Sequence, residues 1–237
     1  GGDRTEIELP AVQRRVVEAL KTAGKRIVFV NFSGAAIALE PESQNCEAIL
    51  QAWYPGQAGG QAVAEVLFGD YNPAGKLPLT FYRNLAQIPD FEDYNMTGRT
   101  YRYMKETPLF PFGHGLSYTT FKYGKLKMNG DKIAAGQNLN LVIPVTNTGS
   151  RDGDEVVQVY LKKMDDTEGP VKTLRAFKRV RIPAGKTVEV KFSLDDTQLE
   201  WWDEQSNTMR VCPGNYTVMI GGTSCEKSLL SRAFTIR

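Results

Sequence analysis

The chain has 237 residues, 41% of them hydrophobic, enough for a sizeable core in one or two domains. Lys and Arg number 29 against 27 Asp and Glu, and a net charge of +2 lacks the basic footprint of a protein that binds nucleic acid or an anionic membrane. Neither is expected as a partner, and no apolar run is long and unbroken enough to span a bilayer.

In chain order, PAVQRRVVEALKTA (Pro10 to Ala23) places Val12, Val16, Leu20 and Ala23 on one stripe, with Pro in the first turn and Gly24 after the end. This spacing predicts a helix with a buried stripe. RIVFVNF is a continuous apolar run of strand length, the pattern of a strand covered on both faces. CEAILQAWY is ambiguous and is read as a short helix leading into a strand that ends at Trp53, and GGQAVAEVLF reads as a helix. Such alternation is the texture of an α/β layer. Only two strands can be drawn before Phe81, so the layer is expected to be partial, with its remaining strands in preceding polypeptide.

Residues 82–122 are rich in aromatics, Pro and Gly without either period, and read as an ordered connector because a free linker would expose too much apolar surface. From Tyr123 the period becomes two. YGKLKM, NLNLVIPVTNTG, DEVVQVYLKK, TLRAFKRVRI, KTVEVKFSL, GNYTVMIGG and SLLSRAFTIR predict seven short strands in an immunoglobulin- or fibronectin type III-like sandwich. The fold class is therefore α/β followed by all-β, with domains at 1–81 (α/β), 82–122 (connector) and 123–237 (sandwich).

Few residues suggest chemistry on their own. Cys46, Cys212 and Cys225 have no metal-ligand spacing, which leaves a Cys212 to Cys225 bridge open beside free thiols. Asn31, Asn95 and Asn215 begin glycosylation triplets. Gly56, Gly59 and Gly60 precede a helix but match neither the dinucleotide nor the phosphate-loop pattern, so a tight turn and close packing explain them. The pairs Glu40 and Glu42, Glu92 and Asp93, and Asp165 and Asp166 read as solvated surface charge. Adjacency in sequence does not by itself place two carboxyl groups for acid/base work. His114, the one histidine, reads as a packed imidazole.

The long pattern W-Y-P-G-Q-x-G-G-x-A-x-A-E-x-L-F-G-x-x-N-P-x-G-K-L-P-x-T-F from Trp53, the stretch P-L-F-P-F-G-H-G-L-S-Y-T-x-F from Pro108 and the opening G-G-D-R-x-x-I-x-L-P together resemble glycoside hydrolase family 3. N-T-G-x-x-x-G-D-E-V-V-Q-V-Y from Asn147 and P-G-x-Y from Pro213 resemble that family's C-terminal fibronectin type III-like domain. The resemblance covers nearly the whole chain and implies the C-terminal part of a retaining β-glucosidase or β-xylosidase, acting on non-reducing ends of xylo- or gluco-oligosaccharides or on aryl glycosides. It also implies partners in the same enzyme: an upstream barrel carrying the aspartate nucleophile, an acid/base glutamate just before the G-G-D-R segment, and the remaining α/β strands.

No catalytic residue, metal or cofactor is therefore assigned here. Asp3, Arg4, Tyr101 and Arg102 are the substrate-binding candidates, each beside a structural role in pairing or packing. Trp53, Trp201 and Trp202 read as packing anchors before sugar platforms. A non-catalytic carbohydrate-binding or interaction module is the second reading, disfavoured because such a module has no need of half an α/β layer. The compartment is left open between periplasm and secretion.

Overall fold

The computed structural model describes residues 5–237 and divides into two compact units. The first comprises the described residues through Tyr71 with Leu79–Thr100 and Met104–Pro111; the second comprises Asn72–Pro78, Tyr101–Tyr103 and Phe112–Arg237. Residues expected in the connector are thus divided between the two.

In the first unit α1 (Ala11–Thr22) follows Pro10 and ends before Gly24, whose φ of +69° is left-handed backbone that glycine adopts without steric cost. β1 (Val28–Asn31) pairs in parallel with β2 (Ala48–Gln51), Val28 opposite Ala48 and Asn31 opposite Gln51. Between them lies α2 (Glu40–Asn45), and α3 (Gly59–Phe68) follows, closed by Gly69 at φ +84°. The short helix expected within Cys46–Tyr54 lies before Cys46 instead, and the strand stops at Gln51. A small core joins buried Leu9, Ile37 and Leu39 with Phe29, Ile49 and Leu109. Among the described residues β1 and β2 form a two-stranded sheet, the partial α/β layer anticipated from the sequence.

The helical stripe differs from expectation. Val12, Val16 and Leu20 are 60%, 57% and 42% exposed, whereas Val17 on the neighbouring face is buried. The period locates a face meant for burial but does not say what covers it.

One helical turn, α4 (Thr100–Tyr103), precedes the strands of the second unit. These are β3 (Phe121–Tyr123), β4 (Lys127–Met128), β5 (Lys132–Ile133), β6 (Leu139–Asn147), β7 (Gly153–Lys163), β8 (Thr173–Ile182) and β9 (Thr187–Leu194). After the capped turn α5 (Asp196–Leu199) come β10 (Trp201–Asp203), β11 (Thr208–Arg210), β12 (Gly214–Gly221) and β13 (Leu230–Ile236). One sheet has the order β5-β13-β12-β7-β8; in the other β6 pairs with β3 and β4 along one edge and β9 along the other. The alternation in β6, where Leu139, Leu141, Ile143 and Val145 are fully buried, meets Val157, Val159, Leu161, Val218 and Ile220 in one core. This is the anticipated sandwich. The expected first strand is split into β3 and β4, and β5 and the β10–β11 hairpin are additional, being too short to display a period.

Candidate functional site

Asp3 and Arg4 lie outside the described residues. Tyr101 and Arg102 belong to the second unit. The ring of Tyr101 stacks on Phe112 at 4.3 Å between centroids and meets Tyr160 edge-on at 5.9 Å. Its hydroxyl accepts the amide of Leu174 at 3.2 Å, so both ends of the side chain serve packing. The Arg102 carbonyl accepts the amide of Val171, and its guanidinium lies 5.5 Å from the Tyr103 ring centroid.

The tryptophans sort in the same way. Trp53 meets Phe81 edge-on at 6.2 Å. Trp201 is buried, donates its Nε1–H to Asp166 Oδ2 at 2.6 Å and lies under the Arg175 guanidinium at 5.2 Å, while its neighbour Trp202 is half exposed.

The carboxylates also have structural partners, and here the expectation of solvated charge needs correcting. Glu42 is fully buried and accepts Arg14 Nε at 2.9 Å; Glu40 accepts Arg83 at 2.6 Å. Asp165 accepts the amide of Asn215, and Asp166 the amide of Gly169. Glu92 and Asp93 do sit on an exposed loop, where Asp93 accepts the amide of Asn95 and is held below the usual carboxylate range by that bond. All three thiols are free. Asn31 is buried and bonded to Ser33 and Gln51, which removes it as a glycan acceptor in this fold. A Cβ on Gly59 would lie 2.5 Å from the Pro55 ring, so that glycine serves a close turn.

A larger polar cluster in the second unit escaped the sequence reading. Lys76 Nζ lies 3.3 Å from Glu155 Oε1 with both side chains largely buried, and donates to the Gly115 carbonyl at 3.1 Å. Tyr123 donates to the same carboxylate oxygen at 3.1 Å. Burial raises the Glu155 pKa against the opposing pull of Lys76, and burial likewise raises that of Tyr123. Beside them, Asn147 is completely buried and donates to the carbonyls of Arg151 and Ile182, while its Oδ1 accepts Thr119 and the amide of Gly149. Gln158 donates to the carbonyls of Gly113 and Gly222. Asn72 donates to the Asp152 carbonyl and accepts Ser117 and the amide of Tyr118. His114 accepts the amide of Leu77 through its carbonyl; its imidazole pKa is lowered by burial first and by the Lys76 charge second.

N-P-x-G-K-L-P, F-G-H-G-L-S-Y and N-T-G-x-x-x-G-D-E-V-V-Q-V-Y are therefore three parts of one hydrogen-bonded frame. Buried polar residues must be paired, and that requirement explains the identities of Asn72, Lys76, Asn147, Glu155 and Gln158. The signal was visible as polar residues inside apolar strand patterns, but their partners lie about 40–80 positions away in sequence.

The chain thus joins a partial parallel α/β layer to a fibronectin-type sandwich, and the motifs quoted from its sequence are engaged in architecture. The Glycosyl hydrolase family 3 C-terminal domain matches residues 1–118 and the Fibronectin type III-like domain matches residues 155–224. The chain belongs to glycoside hydrolase family 3. It is 54% identical over its whole length to a xylan 1,4-beta-xylosidase of Xylanibacter ruminicola, covering 27% of that protein. It is 39% identical over 94% of its length to a periplasmic beta-glucosidase of Salmonella typhimurium, covering 31% of it. The solved structure of a β-glucosidase from Erythrobacter marinus superposes with a TM-score of 0.88 at 38% identity, covering all of this chain and 31% of that one. The chain thus spans about a third or less of these relatives and corresponds to their C-terminal part.

Proposed function

We propose that this chain is the C-terminal part of a retaining β-glycosidase that removes sugars from the non-reducing ends of xylo- or gluco-oligosaccharides, with xylosides preferred. The observation that carries this reading is the 54% identity to a xylan 1,4-beta-xylosidase along the whole chain. The nucleophile and the acid/base carboxyl are assigned to preceding polypeptide, which the family resemblance implies; Glu40, Glu42, Asp165 and Asp166 are held in structural bonds, and Glu92 and Asp93 lie on an exposed loop. The α/β unit and the sandwich support that machinery. The substrate-binding candidates are Asp3, Arg4, Tyr101 and Arg102. The domain division at 1–81, 82–122 and 123–237 stands as a proposal, and a periplasmic site of action is favoured by the periplasmic relative.

The test is hydrolysis of aryl β-xyloside and aryl β-glucoside by a polypeptide of the relatives' full length beside the 237-residue chain alone. Turnover by the long form with retained configuration, faster on the xyloside, and none by the short form is expected. Turnover by the short form would mean that it holds a catalytic pair of its own.

A further inference from the structure

The segment Ile7–Leu9, which leads into α1, is pinned to the first unit around a single residue, Ala38. The Ala38 amide donates to the Ile7 carbonyl at 2.9 Å, Glu8 and Ala38 form a parallel bridge, and Leu9 is buried with Ile37 and Leu39. From the other side, the Ala38 carbonyl accepts Arg14 Nη2 at 3.5 Å. Arg14 also holds α2, its Nε donating to Glu42 Oε1 at 2.9 Å and its Nη2 to Glu42 Oε2 at 3.4 Å. The Glu42 side chain is 1% exposed and that of Arg14 22%. Arg14 and Val17, three positions apart, make up the covered face of α1.

Removing two charges from water costs about as much as their attraction returns, so an apolar pair would serve at least as well if this contact supplied stability alone. What a guanidinium fork adds is direction. Two bonds to one carboxylate and a third to a carbonyl hold α1, α2 and, through Ala38, the Ile7–Leu9 segment in one arrangement. These groups are largely buried within the first unit, so the arrangement does not depend on what lies over its surface.

We propose that Arg14 and Glu42 are positioning residues for the acid/base carboxyl of the glycosidase. The proposal rests on the glycosidase reading above, in which that carboxyl precedes the G-G-D-R segment and so joins the first unit through Ile7–Leu9. A proton donor has to sit within about 3 Å of the oxygen it serves, and a misplacement of about 1 Å costs on the order of 100-fold in rate. Releasing the Arg14 fork frees Ala38 on one side and lets the segment that carries the donor shift.

The test measures kcat/KM of a polypeptide of the relatives' full length on two aryl β-xylosides, phenyl and dinitrophenyl. Cleavage of the phenyl glycoside needs a proton delivered to the leaving oxygen, whereas dinitrophenolate departs without one. Arg14→Met and Glu42→Gln are expected to lower kcat/KM on the phenyl glycoside about 10–100-fold and on the dinitrophenyl glycoside by less than about threefold. Arg14→Lys keeps the charge and loses the fork; it should show the same selectivity at smaller size, and it serves where Arg14→Met does not fold. A pair that only stabilises the fold would lower both values by one factor, through the fraction of folded enzyme. An equal loss on both glycosides, or no loss on either, overturns the proposal while wild-type turnover keeps the glycosidase reading. A wild-type long form that cleaves neither glycoside removes that reading and the positioning role with it.

Discussion

A lysine ammonium and a glutamate carboxylate taken out of water are each costly, and what makes Lys76 and Glu155 tolerable in the second unit is that they face one another with Tyr123 and a carbonyl completing the set. Lys76→Met removes one side of this arrangement, and a loss of about 3–5 kcal/mol at neutral pH is expected in urea unfolding. The folded chain holds the Glu155 proton more tightly than the unfolded chain does, since burial raises its pKa above 4.5. Its contribution to stability is therefore greatest below 4.5 and is lost as pH climbs through the raised value, so the Lys76→Met variant regains stability on acidification through this group. Adding Glu155→Gln removes that dependence. His114 behaves in the opposite sense: burial and Lys76 lower its pKa below 6.5, the folded chain binds its proton less tightly, and stability is lost as pH falls beneath 6.5. As the one histidine of the chain it gives a single imidazole titration in a proton NMR experiment, and a midpoint at or above 6.5 would contradict this account.

At the scale of elements, the sandwich depends on the segments that run into it. Gly113 has φ +76°, and a Cβ there would collide with the carboxamide of Gln158, whose Nε2 bonds back to the Gly113 carbonyl. Gly113→Ala is expected to cost about 1–3 kcal/mol through left-handed strain and overpacking, measured as a lower urea midpoint by fluorescence. The equivalent change at Gly136, also at positive φ but with open space around its Cβ, carries the strain without the collision and should cost less. Strands with a clear period of two, such as β6, β7 and β9, lie where the sequence places them because their apolar set has a core to enter. The short strands β5, β10 and β11 show no such pattern; they are held by neighbours and by the pairing of Trp202 with Met209.

Taken whole, the chain leaves apolar surface that its own described residues do not cover. Val12, Val16 and Leu20 form a stripe on α1, while Val28, Tyr54 and Phe68 are 53%, 79% and 84% exposed. Changing the three stripe residues to Ser should reduce self-association of the isolated chain by light scattering while leaving its thermal midpoint nearly unchanged. In a polypeptide of the relatives' full length the same changes should destabilise by about 1–3 kcal/mol per position, because there the stripe is expected to pack. An equal midpoint shift in both forms would show that the stripe packs within the short chain.

The sequence alone determined the order of the longer helices and strands, the switch from α/β to sandwich and the partial nature of the first layer. Periodicity and turn residues are local, and each segment states for itself which faces seek burial. Its motifs also sufficed for the family, since long strings of residue types in a set order are specific. Only the tertiary structure decided which face of α1 meets the core, why Glu42 is buried with Arg14, and why Asn72, Lys76, Asn147, Glu155 and Gln158 are polar within packed segments. Burial and polar pairing are properties of contacts between distant positions, and no local pattern names a side chain's partner.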